Sequence, residues 1–192
     1  MTTTATLSDC LVDLGQAFGN ARWCLVGGQA AILYGSTRMT QHVGVSLLLA
    51  PALWPAMLDQ LQMAGFVSRI EAPLNFAERT RVMLMRHERS QIPIDIVLAG
   101  PGLEEVFLER ARSISGLGVA LRVIAPEDLI ASKLLAGRDR DLEDIAAVIR
   151  RCGELDVRRV DETLALLEAA LSRSDLLSMF QRMRTASADD RY

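Results

Sequence analysis

The chain has 192 residues, with 21 Lys+Arg against 24 Asp+Glu and a formal charge of −3. That length suits one compact domain or a domain with a helical appendage. Half of the residues are hydrophobic and 23% are charged, which excludes wholesale disorder and allows a sizeable core. The near-neutral balance argues against a general basic nucleic-acid coat and leaves a local basic groove open.

No apolar run reaches the ~18–20 residues that a membrane helix needs. The longest, Val43 to Met57, is interrupted by Gly44, Ser46 and two prolines. Met1 to Asp9 lacks a basic segment followed by an apolar stretch, so no secretion signal is expected. Cys10, Cys24 and Cys152 are scattered thiols without CxxC spacing, which points to a reducing cytoplasm. His42 and His87 are the only histidines, so a histidine-rich metal site is excluded.

Leu7, Leu11, Leu14 and Phe18 fall at helical spacing and predict an amphipathic helix ending near Gly19-Asn20. Trp23 to Val26 reads as a buried strand that stops at Gly27-Gly28, and Gln29 to Tyr34 as a short helix stopped by Gly35. Val43 to Leu49 is β-branched and apolar and predicts a second strand; Pro55 to Ala64 looks helical. Arg81 to His87 and Ile92 to Leu98 read as a hairpin, with Met83 and Met85 as core filling. His87, between Arg86 and Glu88-Arg89, reads as a strand end at the surface. Gly102 to Arg112 predicts a helix and Val119 to Ile124 another strand.

The composition changes after Pro126. Residues 127–184 contain no proline, and Leu129, Leu134, Ile145, Val148, Leu164, Leu167, Leu171 and Leu176 fit several packed helices. The expected organisation is therefore a small mixed α/β unit over 1–124, a helical region over 125–184 and a polar, frayed tail over 185–192.

Chemistry concentrates in a few segments. The strand-to-helix turn at Gly27-Gly28 exposes backbone N–H groups of the kind that hold phosphate, or it is simply a tight turn. Alternation along Thr40 to Ser46 puts residues 42, 44 and 46 on one face and Val43, Val45 and Leu47 on the other. Asp95 stands alone within Ile92-Pro93-Ile94-Asp95-Ile96-Val97; a carboxylate in an apolar strand either has a partner or faces the surface of an edge. Lys133, Gly137, Asp141 and Asp144 lie close to one helical stripe, unless Gly137 breaks the segment into two helices. Read on their own, these charges are a solvated face with ion pairs among Arg138, Asp141, Arg140 and Asp144.

Taken together, Gly27-Gly28, then Arg38-x-Thr40-x-His42-Val43-Gly44, then Ile94-Asp95-Ile96-Val97 resemble the nucleotidyltransferase superfamily with a polymerase-β-type palm. The segment Ala125-Pro126-Glu127-Asp128-Leu129 through Lys133, Arg138, Asp141 and Asp144 to Ile145 is similar to the AbiE-type, toxin–antitoxin nucleotidyltransferases. The resemblance spans roughly residues 20–150. It implies an α/β (α+β) fold, a nucleotidyltransferase-like mixed sheet with flanking helices and a C-terminal helical bundle. It implies NMP transfer from an NTP to an RNA, protein or small-molecule acceptor, with Mg²⁺ held by three acids. By the same resemblance Gly27, Gly28, Ser36, Arg38 and Lys133 would contact nucleotide, and Asp95, Lys133 and Asp144 would be catalytic. A tRNA acceptor or an antitoxin partner is implied as well.

The departure from that pattern is at positions 42 and 44, where the family carries metal-binding aspartates and this chain has His42 and Gly44. Gly44 offers no side-chain ligand, and imidazole is a poor ligand for Mg²⁺. Only Asp95 matches the third acid. The expectation is a pseudoenzyme-like, impaired centre, with a non-catalytic nucleotide- or partner-binding regulatory module as the alternative.

Overall fold

The structure, a computed structural model, describes residues 5–116 and 119–189. The chain divides into two compact units: Met1–Gln29 with Thr40–Ile124, and Ala30–Met39 with Ala125–Tyr192.

The first unit opens with α1 (Leu7–Phe18), started by a Thr6 cap whose side chain accepts from the Asp9 N–H while Asp9 answers to the Thr6 backbone. Then follow β1 (Trp23–Val26), α2 (Gly27–Leu33), β2 (Val43–Leu48), a 3₁₀ turn at Pro51–Leu53 and α3 (Trp54–Met63). The unit continues with β3 (Phe66–Ser68), α4 (Pro73–Thr80), β4 (Val82–His87), β5 (Pro93–Ala99), α5 (Leu103–Arg110), β6 (Arg112–Gly116) and β7 (Val119–Val123). The strands form one seven-stranded mixed sheet in the order β3-β4-β5-β2-β1-β7-β6. The β2–β5 and β1–β7 pairs are parallel, and the remaining pairs are antiparallel.

The alternation expected on β2 is present: Val43, Val45 and Leu47 are fully buried, and the residues between them are not. Ile94, Ile96 and Leu98 do the same on β5, and Met83 and Met85 on β4. This face of the sheet is core. Cys10, Leu11, Leu14 and Phe18 of α1 and Leu58 and Leu61 of α3 are buried as well. Each such side chain contributes about 1.5–3 kcal/mol of transfer free energy before entropy costs. The opposite face carries the polar and small residues that matter below.

In the second unit the helices are α6 (Pro126–Ala136), α7 (Asp139–Arg151), α8 (Val157–Leu171) and α9 (Leu176–Asp189), following Ala30–Met39. Gly137 takes the left-handed conformation, φ 63°, at the end of α6. It thus splits into two helices the segment that one helical stripe would have required. Leu129, Ile130, Leu134, Ile145, Val148, Val160, Leu164, Leu176 and Phe180 form the apolar interior.

Three further corrections concern local structure. His87 is fully buried, not at the surface: its ring bonds Ser90 Oγ at 2.8 Å and Asp13 Oδ2 at 3.0 Å. The expected frayed tail is helical as far as Asp189, with Ser187 buried; residues 190–192 lie outside the described residues. The elements β3, α4 and β6 were not anticipated at all.

Candidate functional site

Four positions line up across the non-core face of the sheet. Val26 on β1 pairs with Gly44 on β2, Gly44 with Asp95 on β5, and Asp95 with Leu84 on β4. The Arg69 N–H donates to the Leu84 carbonyl at 2.9 Å, which brings the residue after β3 into the same row. Directly paired residues share a face, so Gly44 and Asp95 are neighbours about 4.8 Å apart across the sheet. Val26 is the residue before Gly27, so the row begins next to the glycine turn. Gly27 itself has φ +68°, a conformation that favours glycine, and starts α2.

Asp95 is half-exposed and has two neighbours of its own. His42 Nδ1 stands 3.6 Å from Oδ2, and the Arg69 guanidinium (Nη2) donates to Oδ1. The residues at 42, 44 and 95 therefore belong to one patch. The partner that an acid in an apolar strand requires is Arg69, which sequence reasoning missed. Arg69 follows a three-residue edge strand that no periodicity announces; the only available signal was the need of Asp95 for a cation.

A divalent ion does not fit this donor set. Gly44 brings no ligand atom, His42 brings nitrogen, and the one carboxylate is already engaged by a guanidinium. Mg²⁺ asks for near-octahedral oxygen coordination. Among the described residues no group of three or more His, Cys, Asp or Glu is placed to hold a metal. Near the same end of β2 a cavity of about 450 Å³ is lined by Leu7, Gln29, Thr40, Gln41, Gln91, Ile92 and Pro93. Its amides, hydroxyl and apolar groups suit an uncharged ligand better than a triphosphate.

A second cluster lies within the helical unit. Lys133 on α6 is buried, and its Nζ donates to Asp141 Oδ1 at 3.0 Å and Asp144 Oδ2 at 2.7 Å, both on α7. Asp144 also accepts from Ser36 Oγ at 2.8 Å and from Arg38 through Nε at 3.3 Å and Nη2 at 3.1 Å. Arg138 donates to Asp141 at 2.5 Å. The structure thus brings Ser36, Arg38, Lys133, Asp141 and Asp144 together, with Gly137 making the turn between their helices. Burial by itself would raise the Asp144 carboxyl, but the bonds from Arg38, Lys133 and Ser36 outweigh it and hold it below its ordinary value. Asp141 is held low in the same way by Arg138 and Lys133 against its own burial. Lys133 is fully neutralised here, whereas Arg38 keeps 31% of its side chain exposed and has N–H groups to spare.

Residues 80–183 match the family described as "Nucleotidyl transferase of unknown function (DUF2204)". The fold is that of nucleotidyltransferases. The solution structure of the antibiotic-resistance factor ANT(2'')-Ia aligns with 88% of this chain and 95% of its own at 15% identity, TM-score 0.62. An antigenic nucleotidyltransferase-like protein from Paracoccidioides brasiliensis aligns over 89% of both chains at 17% identity, TM-score 0.53. The lincosamide antibiotic adenylyltransferase LnuA, solved with lincomycin bound, covers 76% of this chain and 98% of its own at 12% identity, TM-score 0.50. No curated protein sequence matches the chain. Among the described residues no helix is long and apolar enough to cross a membrane. The matched segment covers more than half of the chain, and the protein belongs to the DUF2204 nucleotidyltransferase family.

Proposed function

We propose that this chain is a nucleotidyltransferase-family protein that binds nucleoside triphosphate while its metal-dependent transfer of NMP is impaired. The observation that carries this is the Gly44–Asp95 pair: adjacent in register, with a single carboxylate between them and His42 beside it. Stabilising a phosphoryl-type transition state depends on positive charge held over the transferring group. A family centre that would use three acids and Mg²⁺ has here one acid, already neutralised. In the sheet unit the resemblance assigns phosphate contact to Gly27 and Gly28; within the helical unit, taken by itself, it assigns nucleotide contact to Ser36 and Arg38. Arg38 is the better phosphate contact than Lys133, since Lys133 is spent on Asp141 and Asp144. The AbiE-like assignment, and with it an RNA acceptor such as tRNA or an antitoxin partner, rests on the motif from Ala125 to Ile145.

A second reading is a non-catalytic regulatory module. The network around Lys133 favours it, because Lys133, Asp141 and Asp144 are buried and paired with one another and with Ser36. Titration with each NTP, with and without Mg²⁺, separates the two. Binding that Arg38→Ala weakens about tenfold supports the nucleotide reading, on the scale of one lost charge-assisted contact. No binding of any NTP leaves the partner-binding module.

A further inference from the structure

The mismatch between the family's metal and this donor set has a physical counterpart in Arg69. Its guanidinium reaches from the end of β3 across the Leu84 position to Asp95, two strand spacings away, and its side chain is only 24% exposed. Among the described residues its Nε is buried without a hydrogen-bond partner, and its terminal nitrogen Nη2 donates to Asp95. A planar guanidinium with a fork of donors matches a carboxylate well and carries a fixed positive charge. It supplies at Asp95 what a bound cation otherwise would.

We infer that Arg69 is the resident cation of this site: it takes the Asp95 carboxylate in place of a divalent metal and excludes metal from it. This deepens the reading of an impaired centre and rests on it. One consequence is specific. Returning an acid to position 42 does not by itself rebuild a metal site, because Arg69 still holds Asp95. Metal affinity returns only when the guanidinium is removed too.

The test measures Mn²⁺ binding by electron paramagnetic resonance in the full chain, for wild type, His42→Asp, Arg69→Gln and His42→Asp/Arg69→Gln. His42 is half-exposed, so its replacement does not disturb the core. Gly44 is left alone, because a Cβ there would lie 3.3 Å from the Val26 carbonyl oxygen. Wild type is expected to show no binding up to roughly 1 mM, the weak end of carboxylate cation sites. The double variant is expected to bind about tenfold or more tightly than His42→Asp alone, the scale of removing one adjacent charge. Equal affinity in His42→Asp with and without Arg69→Gln overturns the inference. So does saturable Mn²⁺ binding by the wild-type protein, a measurement that needs no variant to fold. His42→Asp/Arg69→Lys, which keeps the charge, is expected to keep metal out; if it admits Mn²⁺ as His42→Asp/Arg69→Gln does, the exclusion is not electrostatic and the inference fails. Whether wild type binds or transfers nucleotide is read separately, so failure of the proposed function and failure of this inference give different results.

Discussion

Lys133 is a cation with 5% of its surface exposed, held between two carboxylates that are each 1% exposed. Removing one partner of a buried ion pair costs more than the pair contributes, because the other charge stays buried without compensation. Lys133→Met is therefore expected to lower stability by about 3 kcal/mol in denaturant unfolding, the lower end of the usual range because Arg38 and Arg138 remain. A loss under about 1 kcal/mol would mean the network is solvated and free to open. Cysteine reactivity offers a second check at this scale. Burial pushes the Cys10 thiol up to about 12, with the Ser90 hydrogen bond acting the other way. Cys10 is also fully buried, whereas Cys152 is partly exposed. Brief iodoacetamide treatment of the native protein should alkylate Cys152 first and leave Cys10 unmodified, as read by peptide mass spectrometry. Equal labelling would contradict the packing of α1.

Among the elements, the strands that carry the site were legible because a period of two in hydrophobicity survives on β2 and β5. Alternation puts Gly44 on one face of β2 with His42 and Ser46; that Asp95 lies beside it comes from the β2–β5 register. The cation that completes the patch could not. Arg69 follows a strand of only three residues, whose pairing to β4 is set by tertiary contacts and not by its own pattern. His87 was misread for a related reason: charged sequence neighbours suggest a surface, yet the ring lies 5.0 Å from Phe66 and bonds Asp13 of α1. The turn between α6 and α7 was legible as an alternative, and its chemistry is testable. Gly137 sits at φ +63° with no close neighbour for a Cβ beyond the Leu134 carbonyl at 3.7 Å. Gly137→Ala should then cost only the left-handed strain, about 1 kcal/mol, lowering Tm by roughly 2–4 °C. An unchanged Tm would argue that the two helices join without that conformation.

For the whole molecule, acid sensitivity follows from the same network. Asp141 and Asp144 titrate below their ordinary 3.8 in the folded chain, so near that value the unfolded chain binds more protons. Their contribution is complete above about pH 4 and is lost as pH falls through the lower folded values. The urea midpoint should decline on acidification below about pH 4, and less steeply in Asp144→Asn, which has already given up its share. An identical acid limb in that variant would place the acid sensitivity elsewhere. The chain belongs to a nucleotidyltransferase family, and the account stands on the proposal that Asp95, with His42 and Gly44 beside it, does not support metal-dependent transfer. The most direct measurement incubates the purified chain with each α-labelled NTP, Mg²⁺ or Mn²⁺, and tRNA or small-molecule acceptors, against a heat-denatured control. The account predicts no label in any acceptor above that control; sustained metal-dependent incorporation by the wild-type chain would contradict it.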